Sequence, residues 1–175
     1  MIKSINYFKL KDSEFENVKN TRLYQKAVEI FELCDRITSI VFDMENDSVE
    51  YSILNETPKH IMENALIIPA KIHGAQDALF DMKMENAAII RKCAREIRTN
   101  TYGFEILKFK DLDYLNLLRN EIEEFRILFA EWVKTFNEWD YIIDRWDLFN
   151  PPGTHYDDHD PDDDIPFSPD YFLGE

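Results

Sequence analysis

The sequence predicts an all-α fold: an up-down four-helix bundle with a Pro-kinked second helix and a disordered or extended acidic C-terminal tail. Three observations lead there. Four segments repeat apolar residues at helical spacing, three of them at alternating steps of four and three throughout, which places them on one helical face. Short polar links separate these segments, and no stretch alternates with period two for long enough to argue a sheet. The chain divides into an N-terminal arm over 1–20, the bundle with a C-terminal helical extension over 21–149, and a Pro/Asp-rich tail over 150–175.

The first seam is Leu23, Ala27, Ile30, Cys34, Ile37 and Val41, and it predicts a helix from Thr21 to Met44. Thr57-Pro58 reads as an N-cap with a first-turn proline, opening a second seam of Ile61, Ala65, Ile68, Ile72, Ala75 and Leu79. Pro69 inside that seam removes one amide donor and crowds the preceding turn, at a cost of about 3 kcal/mol in a regular helix. With Gly74 a turn later, one bent helix is expected, its bend at Pro69 and Gly74. An enzymatic reading places a small-ligand pocket at the bend, where the opened backbone carbonyl and His73 offer polar contacts, although a lone histidine beside a kink is more often a packed or surface residue.

The third segment, Asp81 to Thr101, carries Met82, Ala87, Ile90, Ala94 and Ile97, and Gly103 with Phe104 to Lys110 is expected to form the next connection. Asp111 then caps a fourth helix with the strongest seam of all: Leu115, Leu118, Ile122, Phe125, Phe129, Trp132 and Phe136. The same period extends through Trp139, Ile143 and Trp146 until Asn150-Pro-Pro-Gly153 ends it, unless Asn137 caps a separate short helix.

Charge separates the chain into two parts. From Glu138 onward, twelve acidic residues face Arg145 alone, so this segment holds −11 of the total −15. The remaining residues, 1 to 137, are nearly neutral. An overall positive field for nucleic acid is therefore missing. The densest basic patch is local: Arg91, Arg95 and Arg98 share one face of the third helix, where pairing with nearby Glu or with the chain's own acidic tail is expected ahead of an outside acidic partner.

Chemistry-bearing constellations are sparse, and no catalytic residue or cofactor is assigned. No histidine has a glutamate three residues before it, which disfavours a carboxylate-bridged di-metal bundle. Cys34 and Cys93 stand far apart within helical apolar patterns, where a thiol acts as a small hydrophobe. The tail sets His155, Asp157, His159 and Asp160 close together as weak metal-ligand candidates, and an EF-hand starting at Asp158 fails because Asp163 and Pro169 occupy the required Gly and Glu places. Without a signal-like apolar stretch or 18 consecutive apolar residues, a cytoplasmic protein with no membrane contact is expected.

Tyr24-Gln-Lys-Ala27 and Asn64-Ala-Leu-Ile-Ile-Pro-Ala-Lys-Ile-His-Gly74, together with the third helix, resemble a bacterial group. It comprises the four-helix-bundle proteins encoded in intervening sequences of ribosomal RNA genes and their relative, the accessory variability protein of diversity-generating retroelements. The resemblance covers roughly residues 22 to 135, with His73 replacing a small residue of the signature and its acidic residue missing. It implies a homo-oligomer, possibly a ring, pentameric in the retroelement relative, whose positive surface engages nucleic acid and a reverse transcriptase. The near-neutral bundle and acidic extension depart from that charge pattern.

The leading expectation is a non-catalytic, self-associating helical scaffold or adaptor; a nucleic-acid or reverse-transcriptase accessory protein is the alternative. Trp139, Trp146, Phe149, Phe167, Tyr171 and Phe172 are the candidate interface residues, packing within the chain or across subunits, and the tail offers a docking segment for a protein partner.

Overall fold

A computed structural model describes residues 17–42, 56–106, 109 and 111–160. The described residues are all-helical in their regular structure, with four long helices. These are α1 (Arg22–Phe42), α2 (Glu56–Gly74), α3 (Phe80–Ile106) and α4 (Leu112–Val133). Helix α1 packs on α2 and α4, and α3 packs on α2 and α4, so the four enclose one core. None is long and apolar enough to cross a membrane.

The α1 seam forms as the period dictates, with all six of its apolar residues buried. Its start is capped: Thr21 Oγ1 accepts the Tyr24 amide at 3.3 Å while its hydroxyl donates to Val18 O at 2.7 Å. The expected end at Met44 lies outside the described residues.

In α2, Pro58 sits in the first turn, where its missing amide costs no bond. The helix continues through Pro69 and stops at Gly74, so the seam expected to reach Leu79 is cut short. Ala75 donates its amide to Lys71 O and Gln76 to His73 O, closing the last turn. Ala75 is still buried there, but Leu79 is only half-buried and lies outside any helix. Gly74 takes no left-handed conformation, and a methyl group added to it meets nothing.

Helix α3 corrects the expected connection at Gly103. It runs on to Ile106, because Ile90, Ala94, Ile97, Thr101 and Phe104 continue the steps of four and three across the glycine. Burial of Phe104 outweighs the cost of a helical glycine, about 1 kcal/mol. The polar member of this seam, Thr101, is satisfied: its hydroxyl donates to Arg98 O at 2.7 Å and accepts from Arg119 Nε at 2.8 Å.

The expected helical extension of α4 is a second correction. Leu115, Leu118, Ile122 and Phe125 are buried, but the helix ends at Val133 and residues 134–160 run as turns and irregular chain. Asp111 stands at the N-cap without a side-chain capping bond, and Asn137 accepts the Trp139 amide in a turn, not a helix start. The aromatic period continues only as a ladder, with ring centroids 6.1 Å apart for Phe125 and Phe129, 5.8 Å for Phe129 and Trp132, and 4.7 Å for Trp132 and Phe136.

One buried charge joins α1 to α4. Lys26 is 3% exposed, and its ammonium bonds the Glu121 carboxylate, Glu29 at 2.7 Å and Glu124 at 2.9 Å. Burial alone lowers its pKa, but the three carboxylates outweigh burial and hold it above the ordinary lysine value. The same hydrogen bond holds Glu29 below the ordinary glutamate range.

The stability linked to Lys26 is therefore fully present below the ordinary lysine pKa and lost only as strong alkali deprotonates it. The part linked to Glu29 is present above the ordinary glutamate pKa and fades as pH falls through the depressed value. Lys26→Met is expected to destabilise by about 1–3 kcal/mol at pH 7, because the glutamates lose their cation and repel one another. Denaturant unfolding of Lys26→Met, Glu121→Gln and the double variant checks this; the double variant should cost less than the two single losses added.

Candidate docking groove between α3 and α4

Two of the three basic-face residues from the sequence, Arg91 and Arg95, stand exposed on α3 and make no hydrogen bond or ion pair among the described residues. Arg98, also exposed, lies near Glu123 and lowers its pKa from a distance, after the larger effect of the Arg126 hydrogen bond. Arg126 of α4 bonds Glu123 from Nε at 2.8 Å and Nη2 at 2.6 Å. All four arginines, with Glu123 between them, rim one depression of about 480 Å³. Its floor is apolar: Ala94, Ile122, Phe125, Phe129, Ala130 and Val133.

The groove arises because α3 and α4 are the least closely packed pair of neighbours in the fold. At one end they are tied by Arg119, which pairs with Glu105 at 2.7 Å, bonds Thr101 and lies 4.1 Å over the Tyr102 ring. Away from that tie, small residues face the cleft, and a second depression of about 240 Å³ continues it, lined by Met84, Ala87 and Ala88. The two share Arg91, Phe129 and Val133, and Phe149 from the irregular segment stands at the far end.

Phe149 is held by a built loop. The Asp144 carboxylate accepts the amides of Trp146 and Leu148 at 2.9 Å each and of Phe149 at 3.1 Å. These bonds hold its pKa below the ordinary aspartate value, Trp146 contributing most. Asn150 closes the loop in both directions, accepting the Asp144 amide at 2.7 Å and donating to Asp144 O at 2.9 Å. Asp147 takes a positive φ of 56° at its tip. The loop leaves Trp146 92% and Leu148 71% exposed, while Trp139 on the preceding turn is 66% exposed.

The first part of the expected tail also folds back. Arg145 Nη1 donates to the carbonyls of Tyr156 and Asp158 at 2.8 and 2.9 Å, and the Tyr141 and Thr154 hydroxyls lie 3.3 Å apart. His155 donates its amide to the Asp158 carboxylate at 2.8 Å. Among the described residues no three His, Cys, Asp or Glu side chains come together to hold a metal, so His155, Asp157, His159 and Asp160 are not gathered into a site. Phe167, Tyr171 and Phe172 lie outside the described residues. Pro69 and His73 are half-buried and Gly74 is exposed.

Both cysteines are buried and free, with desolvation pushing the Cys34 thiol up to about 12 and Cys93 upward as well. Neither is a ready thiolate at neutral pH.

The groove and its loop were not assembled from sequence, although three of the four arginines were. Arg126 and the aromatic ladder were visible singly; their signal was an arginine on the seam-flanking face of α4, one turn from Ile122 and Phe129. Compared with known proteins, the chain matches no family model, no curated protein and no solved structure.

Asp144→Ala is expected to free the Trp146, Leu148 and Phe149 amides, raising their hydrogen exchange by about tenfold or more without shifting the melting temperature of the helical core. Because the Asp144 pKa is depressed, the wild-type loop should hold above the ordinary aspartate pKa and loosen only as pH falls through the lower value. Exchange measured by NMR at several pH values reads both effects.

Proposed function

We propose that the chain is an up-down four-helix bundle acting as a non-catalytic, self-associating scaffold or adaptor, with the α3–α4 groove as its receiving surface. The observation that carries this reading is the pairing of an apolar floor with a rim of four arginines and Glu123, in which Glu123 occupies Arg126 while Arg91 and Arg95 have no acidic partner among the described residues. That combination fits a peptide segment with aromatic or aliphatic anchors flanked by carboxylates: apolar side chains fill the cleft and guanidiniums meet the acids. The up-down order is supported, for α3 and α4, by residues that step in opposite directions, Thr101 with Arg119 and Arg91 with Val133. Self-association is supported by Trp139, Trp146 and Leu148, large apolar side chains held out on built turns.

The four arginines also favour a second reading, an RNA- or DNA-binding accessory protein like the group the sequence resembles. The apolar floor weighs against it, since phosphate contacts need no such surface.

A fluorescein-labelled peptide with alternating acidic and aromatic residues should bind the full chain saturably by anisotropy, and Arg91→Glu/Arg95→Glu should weaken it by about tenfold or more. Binding of a labelled RNA oligonucleotide at low salt, with no peptide binding, would move the assignment to the nucleic-acid reading.

Light scattering of the full chain should give a multiple of the 20.9 kDa chain mass, and Trp146→Ser/Leu148→Ser should reduce it. A monomer for the wild type removes the self-association.

A further inference from the structure

We infer that the α3–α4 groove is filled by this chain's own C-terminal segment, residues 161–175, which docks in cis and competes with outside partners. The inference rests on the reading of the groove as a peptide-receiving surface and names its resident occupant.

The first argument is charge. The segment PDDDIPFSPDYFLGE holds Asp162, Asp163, Asp164, Asp170 and Glu175 and no basic residue. Arg91 and Arg95, on the groove rim, have no acidic partner among the described residues. The second is side-chain type. Ile165, Phe167, Tyr171, Phe172 and Leu173 are interleaved with the acids, and the groove offers the apolar floor such anchors need.

The third argument is reach. The described chain ends at Asp160, two residues after Asp158, whose carbonyl is bound to Arg145 of the segment that delivers Phe149 to the groove. The amide of Phe80, at the start of α3, donates to Asp140 O of the same segment. Fifteen residues extended span up to about 50 Å, whereas the 27 residues of α3 rise about 40 Å. Any point of the groove is therefore accessible to residues 161–175.

The test is limited chymotryptic digestion of the full chain, with mass spectrometry following cleavage after Phe167, Tyr171 and Phe172. Docking predicts cleavage at these three sites about tenfold slower in the wild type than in Arg91→Glu/Arg95→Glu, since a docked segment is cut only in its open fraction. The neutralised tail, Asp162→Asn/Asp163→Asn/Asp164→Asn, should be cut as fast as the charge-reversed groove, and raised salt should speed wild-type cleavage. Melting temperatures show that both variants remain folded. Equal rates in the wild type and both variants overturn the inference. Protection that disappears on dilution also overturns it, assigning the tail to the groove of a second copy.

With equal rates, a labelled peptide of residues 161–175 separates the two layers of argument. Its binding to the wild type and not to Arg91→Glu/Arg95→Glu keeps the groove and discards the intramolecular occupant. No binding to either discards both.

Discussion

The buried ammonium of Lys26 sets the register on which the other packing depends. A lysine at 3% exposure is tolerable only with carboxylates in direct contact, and two of its three, Glu121 and Glu124, come from α4. Sliding α1 along α4 by one turn disrupts the paired contacts to Glu121 and Glu124 and leaves the ammonium leaning on Glu29 of its own helix, so the pairing favours one alignment among the several that apolar seams alone permit. The seams supply the free energy of burial; the ion cluster supplies the choice.

With α4 fixed against α1, its other flank meets α3. Arg119 does at this interface what Lys26 does at the first, joining Thr101 and Glu105 across the two helices. Beyond it the two helices leave a cleft open between them. Ala94 and Ala130 stand where bulkier residues would close the cleft, while the Phe125–Phe129–Trp132–Phe136 ladder keeps α4 apolar past the end of the buried core. The groove is thus the consequence of a seam that outlasts its cover.

The fold class was legible because helical periodicity is local: every residue placed in the α1 seam is buried, as are the first four of the α4 seam. The misread boundaries share one cause, competition between a local signal and burial. At Gly103 the helix breaker lost to Phe104; at Trp139 and Trp146 the apolar heptad lost because no partner surface remained to bury it, so the chain left the helix at Val133. Lys26, as a buried ion, and the groove were not legible at all. Both depend on which residue of one helix faces which residue of another, and a periodic pattern fixes the face without fixing the register. The Asp144 loop was hidden for a different reason: its bonds run from one carboxylate to three backbone amides, and backbone amides carry no sequence signature.

On the inference that residues 161–175 fill the groove, the distribution of charge acquires a physical role. A detached acidic peptide competing for an arginine-rimmed cleft binds weakly, because its carboxylates give up hydration and its backbone gives up freedom. A tethered one has an effective concentration of about 1 mM, so a segment with an intrinsic dissociation constant of about 0.1 mM fills the site roughly 90% of the time. Weakness then becomes useful. An outside partner gains access when its affinity multiplied by its concentration exceeds that of the tether, which sets a threshold for capture and rejects dilute, loosely complementary acidic chains. On that inference, the same tether explains how a near-neutral helical core can carry an exposed patch of arginines without collecting every polyanion it meets: the five carboxylates of residues 161–175 answer the rim before any other anion arrives.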